Sequence, residues 1–210
     1  MLKNECIFGG DIFSRAGEED NLESELIKHC SPTLANIKTG NIFNYKFKSL
    51  ELLKNEVECL NVKLNRKGIY IVILNVGERR SLIYAFRKSR LEEDMKSEKI
   101  NEFLMSEGYK ARCWENVPDA IGLLKKRLQL SCRLAGTFPH EIGVFLGYPI
   151  EDVKGFIENK GQNCLCCGCW KVYDNKAAAM KQFERFEKCR NIYCRMFQKG
   201  KTISQLAVAV

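Results

Sequence analysis

Ile69-Tyr70-Ile71-Val72-Ile73-Leu74-Asn75-Val76, then Gly77-Glu78-Arg79-Arg80, then Ser81-Leu82-Ile83-Tyr84-Ala85-Phe86-Arg87, is the stretch that decides the fold. The first run is apolar on both faces and rich in β-branched residues, the pattern of a central strand. The Gly-led tetrad is a turn, and the third run returns as a second strand, so the pair reads as an antiparallel hairpin. Helical patterns surround it. Leu50, Leu53, Val57, Leu60 and Leu64 keep a 3.6-residue period that Gly68 ends. Residues 91–107 and 120–130 read as charged amphipathic helices, the second started near Pro118-Asp119. Residues 21–29 read as a short helix, and Ser31-Pro32 as the start of a new one, with Ser as N-cap and Pro in the first turn.

Farther along, residues 138–149 fit both periods. Ile142, Val144 and Leu146 alternate as in a strand, whereas Phe138, Ile142 and Phe145 keep helical spacing. Residues 149–157 form a clearer helix, and residues 176–198 a long one carrying Phe183, Phe186, Tyr193 and Phe197. The apolar tail 203–210 reads as a strand or a plug docked on the core. The fold class is therefore α/β or α+β: a small antiparallel sheet flanked by helices, with a Cys-rich helical C-terminal segment. Residues 1–160 form the core domain. Residues 161–210 form a Cys-rich basic segment packed on that same domain, with Gly161-Gln162-Asn163-Cys164 as the boundary.

The 210 residues are 45% apolar and 29% charged, with 15 Gly and 4 Pro, which excludes disordered, collagenous and mucin-like classes. No apolar run approaches the roughly 18 residues of a membrane span. Residues 1–11 lack the continuous apolar stretch of a secretory signal, so the expected compartment is cytoplasmic. Eleven Cys are too few for a disulfide scaffold. In a reducing compartment they are core thiols, metal ligands or reactive groups. From residue 160 onward, ten Lys and Arg face three Asp and Glu, whereas residues 1–30 carry three basic against seven acidic. The basic end suits an acidic protein partner or a solvated helix face. No membrane partner is expected, and the oligomeric state stays open.

His29-Cys30-Ser31-Pro32-Thr33-Leu34 is the first motif that carries chemistry, and Phe138-Pro139-His140-Glu141-Ile142-Gly143-Val144-Phe145-Leu146-Gly147-Tyr148-Pro149 is the second. Cys30 stands directly before the expected helix start, where free N–H groups and the helix dipole would favour a thiolate. The same N–H groups could serve an acyl oxyanion. The third motif is Cys164-Leu165-Cys166-Cys167-Gly168-Cys169-Trp170-Lys171-Val172-Tyr173.

Together these three motifs resemble an uncharacterised domain-of-unknown-function family of anaerobic Gram-positive bacteria, over nearly the whole chain. The Cys30 and His140 segments are also similar to papain-like cysteine proteases and their acyl-transferring relatives, so a papain-like arrangement is one form the fold could take. In those proteins the Cys opens a helix, and a later His begins an apolar strand. That resemblance implies Cys30 as nucleophile, His140 as base, and Glu141, Asp152 or Asn159 as the residue orienting the imidazole. The expected activity is thiol-dependent acyl chemistry, amide hydrolysis or amide-forming transfer, on a small-molecule, peptide or carrier-bound acyl substrate. Two features depart from the pattern. The Cys-Gly-Ser-Cys-Trp signature is missing around Cys30, and Cys167-Gly168-Cys169-Trp170, a near miss, lies after the His.

A rival reading makes the chain a non-catalytic metal–thiolate protein of metal or redox handling. Cys164 and Cys167, with Cys189 and Cys194 downstream, give a four-thiolate frame for Zn or an Fe–S cluster. Against it, residues five apart on a helix diverge by about 140°, so Cys189 and Cys194 share an ion only if the helix ends between them. The acyl reading requires no cofactor. A third reading takes residues 141–156 as a helix-turn-helix. Its reading helix would hold Glu151, Asp152 and Glu158 against Lys154, which phosphates would repel, so nucleic acid is not an expected partner.

Overall fold

The computed structural model describes residues 21–134 and 138–209. In chain order the elements are α1 (Leu22–Leu34), β1 (Gly40–Lys46), α2 (Leu50–Leu64), β2 (Ile69–Val76), β3 (Arg80–Arg87), α3 (Lys88–Lys96), α4 (Glu98–Ser106), α5 (Val117–Leu134), α6 (Ile142–Phe145), α7 (Ile150–Glu158), β4 (Cys166–Cys167), β5 (Lys171–Val172), α8 (Lys176–Gln198) and α9 (Ile203–Leu206). The class is α+β. β1, β3 and β2 form an antiparallel sheet in that order, and β4–β5 is a separate small hairpin.

The expected hairpin is present, but β3 and not β2 is the central strand. β1 takes the free edge of β3, pairing Phe43 with Ile83 and Gly40 with Phe86. Helices cover both faces. On one face Phe43, Tyr45, Ile69, Ile71, Ile83 and Ala85 bury themselves against α1, α2 and α9. On the other, Leu74, Tyr84 and Phe86 pack against side chains of α3 to α7. Each side chain removed from water contributes roughly 1.5–3 kcal/mol, so this sandwich around a thin sheet is the main source of stability.

Two boundaries differ from the sequence reading, and two open alternatives resolve, each for a local reason. α1 does not stop at Ser31: Pro32 lies inside it, and the Ser31 hydroxyl donates to the Ile27 carbonyl within the same helix. The expected helix over 91–107 is two helices broken at Ser97, which leaves helical geometry at ψ 127°. The ambiguous segment resolves as a single helical turn, α6, and not as a strand. The tail is a plug: Thr202 and Gln205 form a capping box, and Ile203, Leu206 and Ala207 enter the α1–α2 core.

Two contacts place the loop between α1 and β1. Arg87, wholly buried at the end of β3, donates to the carbonyls of Thr33 (2.6 Å), Leu34 (2.7 Å), Lys67 (3.1 Å) and Val208 (2.8 Å). Two of those carbonyls are in the last turn of α1, which have no partner within their helix. Arg90 of α3 grips the next residues, donating to Asn36 Oδ1 (2.7 Å) and the Asn36 carbonyl (2.5 Å). Asn36 itself is left-handed, at φ 57°. Below, a Cβ on Gly40 would come within 2.6 Å of the Tyr84 ring and 2.8 Å of the Phe145 carbonyl. That missing side chain lets the Tyr84 hydroxyl donate to the Phe145 carbonyl at 2.5 Å and tie α6 to the sheet.

Candidate functional site

Cys30 is the ninth residue of α1, not the residue before a helix, and none of its surface is exposed. It packs among Leu26, Ile27, Leu34 and the sheet side chains of the α1–α2 core. Burial pushes its thiol up, away from the thiolate form, while Lys38 acts weakly the other way. The helix-opening cysteine expected from the sequence is therefore corrected: the continuous helix removes the N-terminal N–H groups that would have activated it.

His140 stands on the opposite face of the sheet. Its ring packs 5.7 Å from Phe138 and 5.0 Å from Phe156, between centroids. Burial holds the imidazole below its ordinary value, with the Glu107 carboxylate opposing. It precedes a helical turn, so it does not begin an apolar strand, and the papain-like arrangement is not seen. The three expected orienting residues are engaged elsewhere. Glu141, 1% exposed, pairs with Arg127 Nε at 2.6 Å and accepts from the Tyr109 hydroxyl at 3.2 Å. Asp152 accepts from Trp170 Nε1 (2.7 Å), Tyr173 N (2.7 Å) and Asp174 N (3.0 Å). Asn159 donates to the Gly155 carbonyl at 2.8 Å and closes α7.

The thiolate quartet is also divided. Cys164 and Cys167 lie in the β4–β5 hairpin region, next to Tyr173. Cys189 and Cys194 both lie within the unbroken α8, and Cys194 packs on the α1–α2 core with Tyr193 and Phe197. Among the described residues, no group of three or more His, Cys, Asp or Glu is arranged to hold a metal ion. The helix pair at 141–158 is one turn followed by α7, whose Asp152 is buried.

The structure instead gathers polar groups that the sequence did not bring together. A cavity of about 330 Å³ opens between the α1–β1 loop, α3, the α6–α7 turn and the first turns of α8. Lys38, Thr39, Arg90, Asp94, Trp170, Asn175 and Gln182 all line it. That volume is the lower end of the small-molecule range. Lys38 is 5% exposed. Its ammonium lies 5.0 Å from the Tyr148 ring centroid and 6.0 Å from that of Phe186. Among the described residues no carboxylate pairs with it; the ionisable groups it senses are the thiols of Cys169 and Cys30. Burial dominates, and pulls its pKa down to about 8.

Three acids line the cavity, Asp94, Asp152 and Asp174, and the first two already accept hydrogen bonds. Thr39 Oγ1 donates to Asp94 Oδ2 at 2.5 Å, and burial still holds the Asp94 carboxyl above the usual range. Asp152 has the three donors described above. A smaller, mostly apolar pocket of about 70 Å³, lined by Phe138, His140, Phe156 and Cys169, lies on the other side of Trp170. Nothing in the sequence separates Lys38 from other lysines. Its burial is set by the turn that Arg87 and Arg90 hold, a contact between distant segments.

The profile of a family described as a protein family of unknown function, DUF3793, matches residues 26–207. The chain belongs to the DUF3793 family. The match takes in all three motifs that carried the resemblance, from His29 to Tyr173. No curated protein and no solved structure matches the chain. Among the described residues, no helix is long and apolar enough to cross a membrane.

Proposed function

We propose that this DUF3793 member binds a small acidic metabolite, with a carboxylate or phosphate of the ligand set against Lys38 in the polar cavity. One observation carries the reading: a buried ammonium that lines a ligand-sized cavity and has no carboxylate partner among the described residues. Burying a charge is costly unless something pairs with it. The two aromatic rings around Lys38 offset part of that cost, and an anionic ligand supplies the counter-charge. Arg90 adds a second positive group at the wall, while Asp94, Asn175 and Gln182 offer partners for the rest of a polar molecule. Acyl transfer through Cys30 and His140 draws no support from this arrangement, because the two lie on opposite sides of the sheet. Nor does a four-thiolate metal centre, whose ligands stand in two separate places.

The test is calorimetric titration at low salt with a panel of small carboxylates and phosphates. Binding by the native chain should weaken by roughly ten- to a hundredfold in Lys38→Met, as for a lost charge-assisted contact. Lys38→Arg, which keeps the charge, should retain most of it. Affinity should fall as pH rises through about 8, where Lys38 loses its proton. A panel without a binder, or equal affinity in Lys38→Met, overturns the proposal.

A further inference from the structure

Four cysteines occupy six positions at the β4–β5 hairpin, and they do not share one environment. Cys166 packs inward with Trp170, Val172 and Phe183. Cys169 lies at the turn, electrostatically beside Lys38 and Arg190. Cys164 and Cys167 form a Cys-x-x-Cys pair close to Tyr173: burial pushes its phenol up most, and both thiols add to that push. Register agrees: Cys167 pairs with Lys171, two residues before Tyr173 and therefore on the same face. Cys167 is exposed and Cys164 half-buried, so solvent reaches the pair.

An independent feature points to the same spot. The Tyr173 hydroxyl is buried and has no hydrogen-bond partner among the described residues. The ring is fixed against α7 at Gly155, where an added Cβ would meet its Cγ at 2.7 Å. A buried donor without an acceptor is uncommon and asks for a reason. A thiolate formed beside it would be that acceptor.

We propose that Cys164 and Cys167 are a dithiol pair that exchanges with small disulfides. One protein thiolate attacks a sulfur of R–S–S–R, forming a mixed disulfide and releasing RS⁻. The other protein thiolate attacks the protein sulfur of that mixed disulfide, closing the Cys164–Cys167 bond and releasing a second RS⁻. Two electrons pass from the pair to the small disulfide, and the two thiol protons pass to the leaving thiolates. A two-residue gap in a turn permits the short ring that results. Because the hairpin also carries Trp170, whose indole is bonded to Asp152, the bond would stiffen one wall of the Lys38 cavity.

The experiment uses the full chain, reduced and freed of reductant without oxygen, then exposed to excess oxidised glutathione, alkylated and mapped by mass spectrometry. The expected product has lost two hydrogens and carries a Cys164–Cys167 bridge. Cys166→Ser and Cys169→Ser should form the same bridge, while Cys164→Ser and Cys167→Ser should stop at a glutathione adduct on the remaining member. Lys38→Met should close at the native rate, which separates this proposal from the cavity reading. Bridging between other thiols, or no bridge in excess oxidant, overturns it.

Discussion

Lys38 and Tyr148 stand face to face, with the ammonium 5.0 Å from the ring centroid and only 5% of the lysine exposed. The ring favours the charged amine by about 1–2 kcal/mol, yet burial prevails and the pKa falls from an ordinary 10.5 to about 8. That difference corresponds to roughly 3 kcal/mol. Below pH 8 the amine is charged both folded and unfolded, and the folded state carries the full penalty. Between about 8 and 10.5 the folded amine is neutral while the unfolded one is still protonated, so stability rises with pH across that window. Lys38→Met should accordingly be the more stable protein at pH 7, by up to about 3 kcal/mol. Its advantage should shrink between pH 8 and 10.5. Urea midpoints at several pH values measure this, and an advantage that does not vary with pH would contradict the buried-charge account.

Arg87 satisfies four carbonyls from three separate parts of the chain. Arg87→Met keeps most of the volume and removes every donor. The expected loss is about 2–4 kcal/mol, since the Lys67 and Val208 carbonyls lose this donor, while those of Thr33 and Leu34 keep the backbone N–H of Asn36 and Val208. Amide hydrogen exchange should show residues 203–208 losing protection first, because Val208 is one of the four. Unchanged stability would mean that water replaces the guanidinium.

Cys30 should behave as a core residue. In the folded protein, brief treatment with iodoacetamide should modify the exposed thiols Cys59, Cys167 and Cys169 and leave Cys30 untouched. Cys30→Ala should cost about 1–2 kcal/mol through the small cavity it leaves, with anion affinity at Lys38 unchanged. Rapid alkylation of Cys30 in the native state would reopen the thiol chemistry first inferred from its motif.

Secondary structure was legible where a single period governed a long run. α2 and α8 occupy residues 50–64 and 176–198 as the spacing of their apolar residues predicts. β2 also stands where its β-branched run places it, and β3 where the Gly-led turn returns the chain. β1 was not legible, because Gly40-Asn41-Ile42-Phe43-Asn44-Tyr45-Lys46 has no regular alternation, and its pairing with β3 is decided by packing. Ser31-Pro32 misled for a physical reason: the pair is an ordinary helix start, but here the Ser31 hydroxyl and the Arg87 donors satisfy carbonyls around a proline inside the helix. The candidate site was the least legible part. Lys38, Arg90, Asp94 and Gln182 are separated by up to 144 positions, and only the turn held by two arginines brings them to one cavity. Cys30 and His140 each stand in a short local motif, whereas no local pattern marks Lys38.

The carbonyl cage around Arg87 has a consequence for synthesis. Three of its walls, the carbonyls of Thr33, Leu34 and Lys67, precede β3 in the chain, but the fourth comes from residue 208. Until that residue has cleared the ribosomal tunnel, the central strand holds a guanidinium one acceptor short, with the α1–α2 core open to water where Ile203 and Leu206 will sit. The chain can therefore lay down its sheet early, but it can seal that sheet only once the segment around residue 208 has joined it.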